Sequence, residues 1–129
     1  MAIKCLIVED SGFIREIYHY VLQDFAELSI VAEADDGVTA VQLIEQHQPD
    51  LLILDLVLPL KDGLEVLKSV SQISPHTKAV VISSLDEEHI IAKAKALGAV
   101  EYVIKPFTKK QLLSVLQQVT ATYAEVQNG

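Results

Sequence analysis

Apolar and polar positions along this chain switch between a strand-like and a helix-like period five times over. Residues 3–8 form a nearly unbroken apolar block of strand length. Residues 11 to about 25 follow with Ile14, Ile17, Tyr18, Val21, Leu22 and Phe25 at helical spacing. Residues 28–34 predict a second strand, and Asp36 a cap for a helix through Ala40, Val41 and Ile44 to about His47. Pro49 and Asp50 interrupt the chain before a third strand over residues 51–55, whose four leading residues are all apolar. A third helix is expected over residues 63–73, with Leu64, Leu67 and Val70 inward and Ser74-Pro75 as its stop. A fourth strand should occupy residues 78–83. A fourth helix should occupy residues 86–97, with Glu87 and Glu88 near its positive end and Gly98 after it. Residues 100–104 complete the strands, and Thr108 with Gln111 forms a capping-box pattern for a last helix reaching about Tyr123.

Five strand-helix units with short connections predict an α/β fold, a parallel sheet with helices on both faces. Right-handed crossovers leave few topologies, and the leading one is a five-stranded sheet in the order 2-1-3-4-5. Residues 1–125 are expected to form one domain and residues 126–129 a C-terminal tail.

A chain of 129 residues is long enough for one real hydrophobic core. Its apolar windows are strand-sized, which excludes a membrane span, and Glu9-Asp10 cuts short any secretory pattern at the N-terminus. The single cysteine, Cys5, cannot pair within the chain; it fits a reducing cytoplasm and reads as a small buried apolar residue. A formal net charge of −8 offers no basic stripe to nucleic acid. His19, His47, His76 and His89 stand singly and read as solvated helix and loop positions rather than a zinc set.

In such a sheet the chemistry gathers at the carboxyl ends of the strands. The first strand ends in Glu9-Asp10, the third in Asp55, the fourth in Ser83-Ser84 and the fifth in Lys105-Pro106. With the order 2-1-3-4-5, those four strands are neighbours and their terminal side chains converge. Two like charges about 4 Å apart cost about 4 kcal/mol at an effective dielectric of about 20, so three carboxylates need compensation. Lys105 and a bound divalent cation are the two candidates. Oxygen ligands suit Mg²⁺, which keeps several waters and accepts a phosphate oxygen. A carboxylate beside a cation, an amine and a hydroxyl is equipped to attack a phosphoryl group.

At this point the sequence resembles the receiver domain of two-component response regulators. The match rests on Glu9-Asp10, Asp55, Leu58-Pro59, Asp62-Gly63, Ser83, Tyr102 and Lys105-Pro106-Phe107, and residues 8–15 look most like the single-domain chemotaxis-type receivers. The resemblance implies a flavodoxin-like, receiver-type sheet and a phosphorylation-activated switch. It makes Asp55 the acceptor of phosphate from a histidine kinase or histidine phosphotransfer protein. It makes Glu9, Asp10, Asp55 and the backbone carbonyl of Val57 the ligands of Mg²⁺ (or Mn²⁺). It implies that Lys105 contacts the phosphoryl group, across a cis bond to Pro106, and that Ser83 and Tyr102 form the switch pair. Output would pass to a protein partner at the face of the fourth helix, fifth strand and fifth helix, from a monomer or a phosphorylation-dependent dimer. Catalysis would be confined to the domain's own phosphorylation and autodephosphorylation, in the cytoplasm, without direct contact to nucleic acid or membrane insertion.

Three positions depart from the usual pattern: Ser83 for threonine, Leu58 for methionine and Glu9 for aspartate, the last reaching the metal through water. Val57 and Leu85, two residues past Asp55 and Ser83, are apolar where the family borders the path of hydrolytic water. They are expected to tune the acyl phosphate to a longer life. Arg15 is expected to be a solvated helix residue, and Ser84 a structural one.

Only a short tail to Gly129 follows the last helix, so an output domain is not expected in this chain. The alternative is the N-terminal receiver fragment of a longer response regulator with a DNA-binding or enzymatic output domain. A more remote alternative is an aspartyl-phosphate phosphatase, but Val57 cannot serve as the second acid such enzymes place two residues past the nucleophile. A flavin carrier on the same sheet order is disfavoured because Glu9-Asp10 would repel the flavin phosphate.

Overall fold

The computed structural model describes residues 2–128. Its elements run β1 (Ile3–Val8), α1 (Gly12–Leu22), β2 (Leu28–Ala34), α2 (Gly37–His47), β3 (Leu51–Leu54), α3 (Gly63–Ile73), β4 (Lys78–Ser83), α4 (Glu88–Ala96), β5 (Ala99–Ile104) and α5 (Lys109–Asn128). All strand pairs are parallel, in the order β2-β1-β3-β4-β5. This is the α/β architecture the apolar pattern predicts.

The strands are apolar on both sides because both sides are covered. Leu6, Val8, Leu52, Leu54, Ala79 and Val81 pack with Ala40 and Ile44 of α2, Val66, Leu67 and Val70 of α3, and Ala94 of α4. The alternate positions Cys5, Ile7, Leu51, Ile53, Val80 and Ile82 pack with Tyr18, Val21 and Leu22 of α1 and Leu112, Leu116 and Val119 of α5. Leu51 to Leu54 are fully buried, and each such side chain contributes about 1.5–3 kcal/mol of transfer free energy. Cys5 lies in this core, and burial, reinforced by the Glu33 charge, pushes its thiol up to about 12. It is an inert packing residue, as expected. Among the described residues, no helix is long and apolar enough to cross a membrane.

Caps explain most boundaries. Ser11, Asp36 and Asp62 accept from the backbone N–H groups of Ile14, Thr39 and Glu65, starting α1, α2 and α3. The Thr108 hydroxyl likewise accepts from Gln111 N–H. Gly98, at φ 116°, closes α4 as its position predicts. Several boundaries differ from expectation, β3 and β5 by a single residue and three helix ends by more. Helix α1 ends at Leu22 rather than Phe25, because Asp24 and Phe25 donate to Val21 and Leu22 in a tightened last turn. Helix α4 begins at Glu88 rather than Asp86, because Leu85 is held by other partners described below. The last helix runs past the expected Tyr123 through 126–128, and Gly129, the end of the expected tail, lies outside the described residues.

Candidate functional site

The register places the site. Val8 lies opposite Leu54, and Asp55 N–H donates to the Val8 carbonyl at 3.0 Å. Glu9, Asp10 and Asp55 therefore leave adjacent strand ends together. Ser83 lies opposite Ile104, and Lys105 N–H donates to the Ser83 carbonyl at 2.9 Å. Those ladder bonds set the ends of β1, β3, β4 and β5 side by side, and the side chains of Glu9, Asp10, Asp55 and Lys105 meet there.

Lys105 is the keystone of the cluster. Its ammonium donates to Glu9 Oε1 at 2.6 Å and to Asp55 Oδ2 at 2.8 Å. Glu9 is 1% exposed and Asp55 6% exposed, so these ion pairs sit largely out of water. Burial works against the Lys105 charge, but the hydrogen bonds it donates to Asp55 and Glu9, with their negative charges, outweigh it and hold the ammonium above its ordinary pKa. Burial pushes the Glu9 carboxyl up, with the Lys105 hydrogen bond pulling it back. The second oxygens are engaged as well: Ser11 N–H donates to Glu9 Oε2 at 3.1 Å and Val57 N–H to Asp55 Oδ1 at 3.1 Å. The peptide bond between Lys105 and Pro106 is cis, as the resemblance implies.

Glu9, Asp10 and Asp55 each bring one carboxylate oxygen within 4.8 Å of the others. Asp10 is exposed, and among the described residues no cation pairs with it. One ammonium against three acids leaves the cluster two charges negative. This donor set of hard carboxylate oxygens, partly open to water, fits a hard divalent cation.

Ser83 is fully buried, and its hydroxyl accepts from Leu85 N–H at 3.3 Å. The Leu85 carbonyl in turn accepts from the Tyr102 hydroxyl at 2.6 Å. Leu85, singled out in the sequence for its side chain, thus bridges Ser83 and Tyr102 through its backbone. Residues 84–87, a bend at Ser84 followed by irregular chain with Glu87 extended, precede the start of α4 at Glu88. Burial pushes the Tyr102 phenol up, against a lowering by the nearby Ser83 hydroxyl. Val57 stands at the rim with its side chain 50% exposed. Phe107 stacks on Tyr18 with ring centroids 5.9 Å apart, tying the turn after Lys105 to α1.

Sequence reasoning missed one participant. Arg15, expected to be solvated, donates through Nη1 to the Glu9 backbone carbonyl at 2.6 Å. The available signal was its place in the first turns of a helix, where long side chains lean back toward the N-terminus.

The model of the response regulator receiver domain family matches residues 5–117 of this chain. The chain belongs to that family. The chemotaxis protein CheY of Halobacterium salinarum is 32% identical over 119 residues, covering 92% of this chain and 98% of that protein. The protein-glutamate methylesterase/protein-glutamine glutaminase 2 of Shewanella sp. (strain MR-4) is 42% identical over 108 residues, 82% of this chain but 30% of its own length. The solved REC domain of AraT, a response regulator from Geobacillus stearothermophilus, superposes with a TM-score of 0.89 at 32% identity, over 98% of this chain and 99% of that one. Receivers of this CheY-like kind are two-component signalling switches rather than conventional enzymes.

Proposed function

We propose that this receiver is switched by phosphorylation of Asp55. The observation that carries the reading is the Lys105 ammonium bridging the Asp55 and Glu9 carboxylates, with Asp10 alongside. An Asp55 oxygen attacks the phosphorus of a phosphohistidine on a histidine kinase or histidine phosphotransfer protein. A new P–O bond forms, the P–N bond breaks, and the imidazole leaves with the electron pair. Glu9, Asp10, Asp55 and the Val57 backbone carbonyl would hold Mg²⁺ (or Mn²⁺), which when bound neutralises charge on the transferring oxygens. Lys105 and the Ser83 hydroxyl turn toward the new phosphoryl group. That turn takes Ser83 from the Leu85 amide, and with it the bond that orders the loop before α4. Tyr102 then moves inward, and the face built by α4, β5 and α5 changes for a protein partner. The differential contacts all belong to Ser83, Leu85, Tyr102 and Lys105.

Incubation with acetyl phosphate and Mg²⁺ should add one phosphoryl group to the intact mass of the wild type and none to Asp55→Asn. Equal labelling of both proteins would overturn the assignment.

Val57 and Leu85 set the lifetime in this reading. The half-exposed Val57 side chain offers no hydrogen bond to orient an attacking water. Val57→Asn is expected to shorten the half-life of the phosphorylated form several-fold, followed by loss of the added mass after donor removal. An unchanged half-life would remove Val57 from the account.

A second reading has the same chemistry as the receiver portion of a longer regulator with an enzymatic or DNA-binding output domain. It is favoured by the methylesterase relative, whose matched segment is 30% of its length.

A further inference from the structure

The turn between β1 and α1 carries two of the three carboxylates, yet the ion pairs of the site hold only one of them. Glu9 is anchored through its side chain by Lys105 and Ser11, and its N–H donates to the Ala34 carbonyl at 3.0 Å. Among the described residues Asp10 has no such anchor, and it must be presented by the backbone that precedes it. That backbone is gripped from outside the acidic cluster. Arg15 reaches back from α1 and donates to the Glu9 carbonyl at 2.6 Å. Its Nε lies 3.8 Å from Glu33 Oε1 on edge strand β2, and Glu33 Oε2 lies 2.9 Å from His19 Nε2.

We infer that Arg15 is a positioning residue for cation binding, clamping the Glu9-Asp10 peptide so that Asp10 is presented in place. The peptide unit is planar, so fixing the Glu9 carbonyl fixes the plane from which the Asp10 side chain departs. Without the clamp, the turn must be ordered when the cation arrives, and that entropy is charged against binding. Partners that orient ligands in this way commonly change metal affinity 10- to 100-fold.

A purely electrostatic role predicts the reverse sign. The guanidinium repels a cation, so its loss would tighten binding if charge alone mattered. The two roles therefore separate in one measurement.

This inference rests on the reading of Glu9, Asp10 and Asp55 as cation ligands. Calorimetric titration with Mg²⁺ should give a Kd about tenfold higher for Arg15→Met than for wild type. The Mg²⁺ concentration giving half-maximal labelling by acetyl phosphate should rise by the same factor as the Kd, and an unshifted Mg²⁺ dependence would likewise overturn the clamp. Arg15→Lys, which keeps the charge and one donor, should fall between the two. An Arg15→Met Kd equal to or below that of wild type overturns the clamp. If circular dichroism shows Arg15→Met unfolded, Arg15→Lys decides by the same criterion. A wild type that binds no Mg²⁺ overturns the cation site itself, an outcome distinct from failure of the clamp alone.

Discussion

Gly37→Ala is expected to destabilise the protein by about 3 kcal/mol or more, a large part of the total for a single domain. A β-carbon at Gly37 would overlap the Lys61 carbonyl oxygen and stand 2.6 Å from the Lys61 carbonyl carbon. Those atoms are backbone and cannot swing aside. The contact is also bonded: Gly37 N–H donates to the Pro59 carbonyl at 3.2 Å, and Lys61 N–H to the same oxygen at 2.8 Å. The first turn of α2 thus lies directly on the loop from Asp55 to α3, where Leu60 already holds a left-handed φ of 69°. Making room for one methyl group separates α2 from that loop and disturbs the packing of Ala40 and Ile44 on Val66, Leu67 and Val70. Urea unfolding followed by circular dichroism reads the cost directly. Gly98→Ala is the comparison: its φ is 116° but nothing lies within 4 Å of the added carbon, so only the backbone preference is lost, about 1 kcal/mol. A Gly37→Ala loss no larger than that of Gly98→Ala would show that the loop yields, and that the close approach is not a constraint.

The contrast between those glycines shows what the sequence makes legible. Gly98 follows an apolar helical pattern and announces its role as a stop. Gly37 sits in an ordinary helix start behind Asp36, and its need for a missing side chain arises from a loop more than twenty residues away. The same division runs through the site. Asp55 and Lys105 are readable because each ends an apolar run, and the 2-1-3-4-5 order then sets them two strands apart on the same rim of the sheet, within reach of a long lysine side chain. The bond from the Tyr102 hydroxyl to the Leu85 carbonyl is not readable, since it depends on how far α4 is set back. Arg15 is not readable either, because its partner is a backbone carbonyl, which leaves no mark in composition or periodicity. Local pattern specifies which groups reach the strand ends; tertiary spacing decides which backbone atoms hold them there.

Lys105→Met should cost about 3–5 kcal/mol in metal-free buffer, because it removes one partner of a buried ion cluster and leaves the others. Methionine keeps most of the apolar stem, so the loss is chiefly one of charge and hydrogen bonds. Glu9 and Asp55, at 1% and 6% exposure, would face each other and Asp10 with no ammonium between them. Two remedies exist, a proton or a cation, and each gives the variant a signature. Burial already raises the Glu9 carboxyl above its ordinary 4.5, and Lys105, with a smaller part from the Ser11 N–H, restrains it. In the variant the larger restraint is gone and the folded-state pKa rises further. A group raised in this way contributes stability that is complete below 4.5 and is lost as pH climbs through the folded value. The deficit against wild type should therefore be greatest near neutral pH and shrink as the buffer is acidified toward 4.5. Mg²⁺ should offset part of it at neutral pH, and by more in the variant than in the wild type, because ligand binding to the folded state adds stability by mass action. Urea midpoints with a chelator and with Mg²⁺, across that pH range, test both signatures. A deficit under 1 kcal/mol, or one indifferent to pH and to Mg²⁺ alike, would mean that Lys105 does not hold the acidic cluster together.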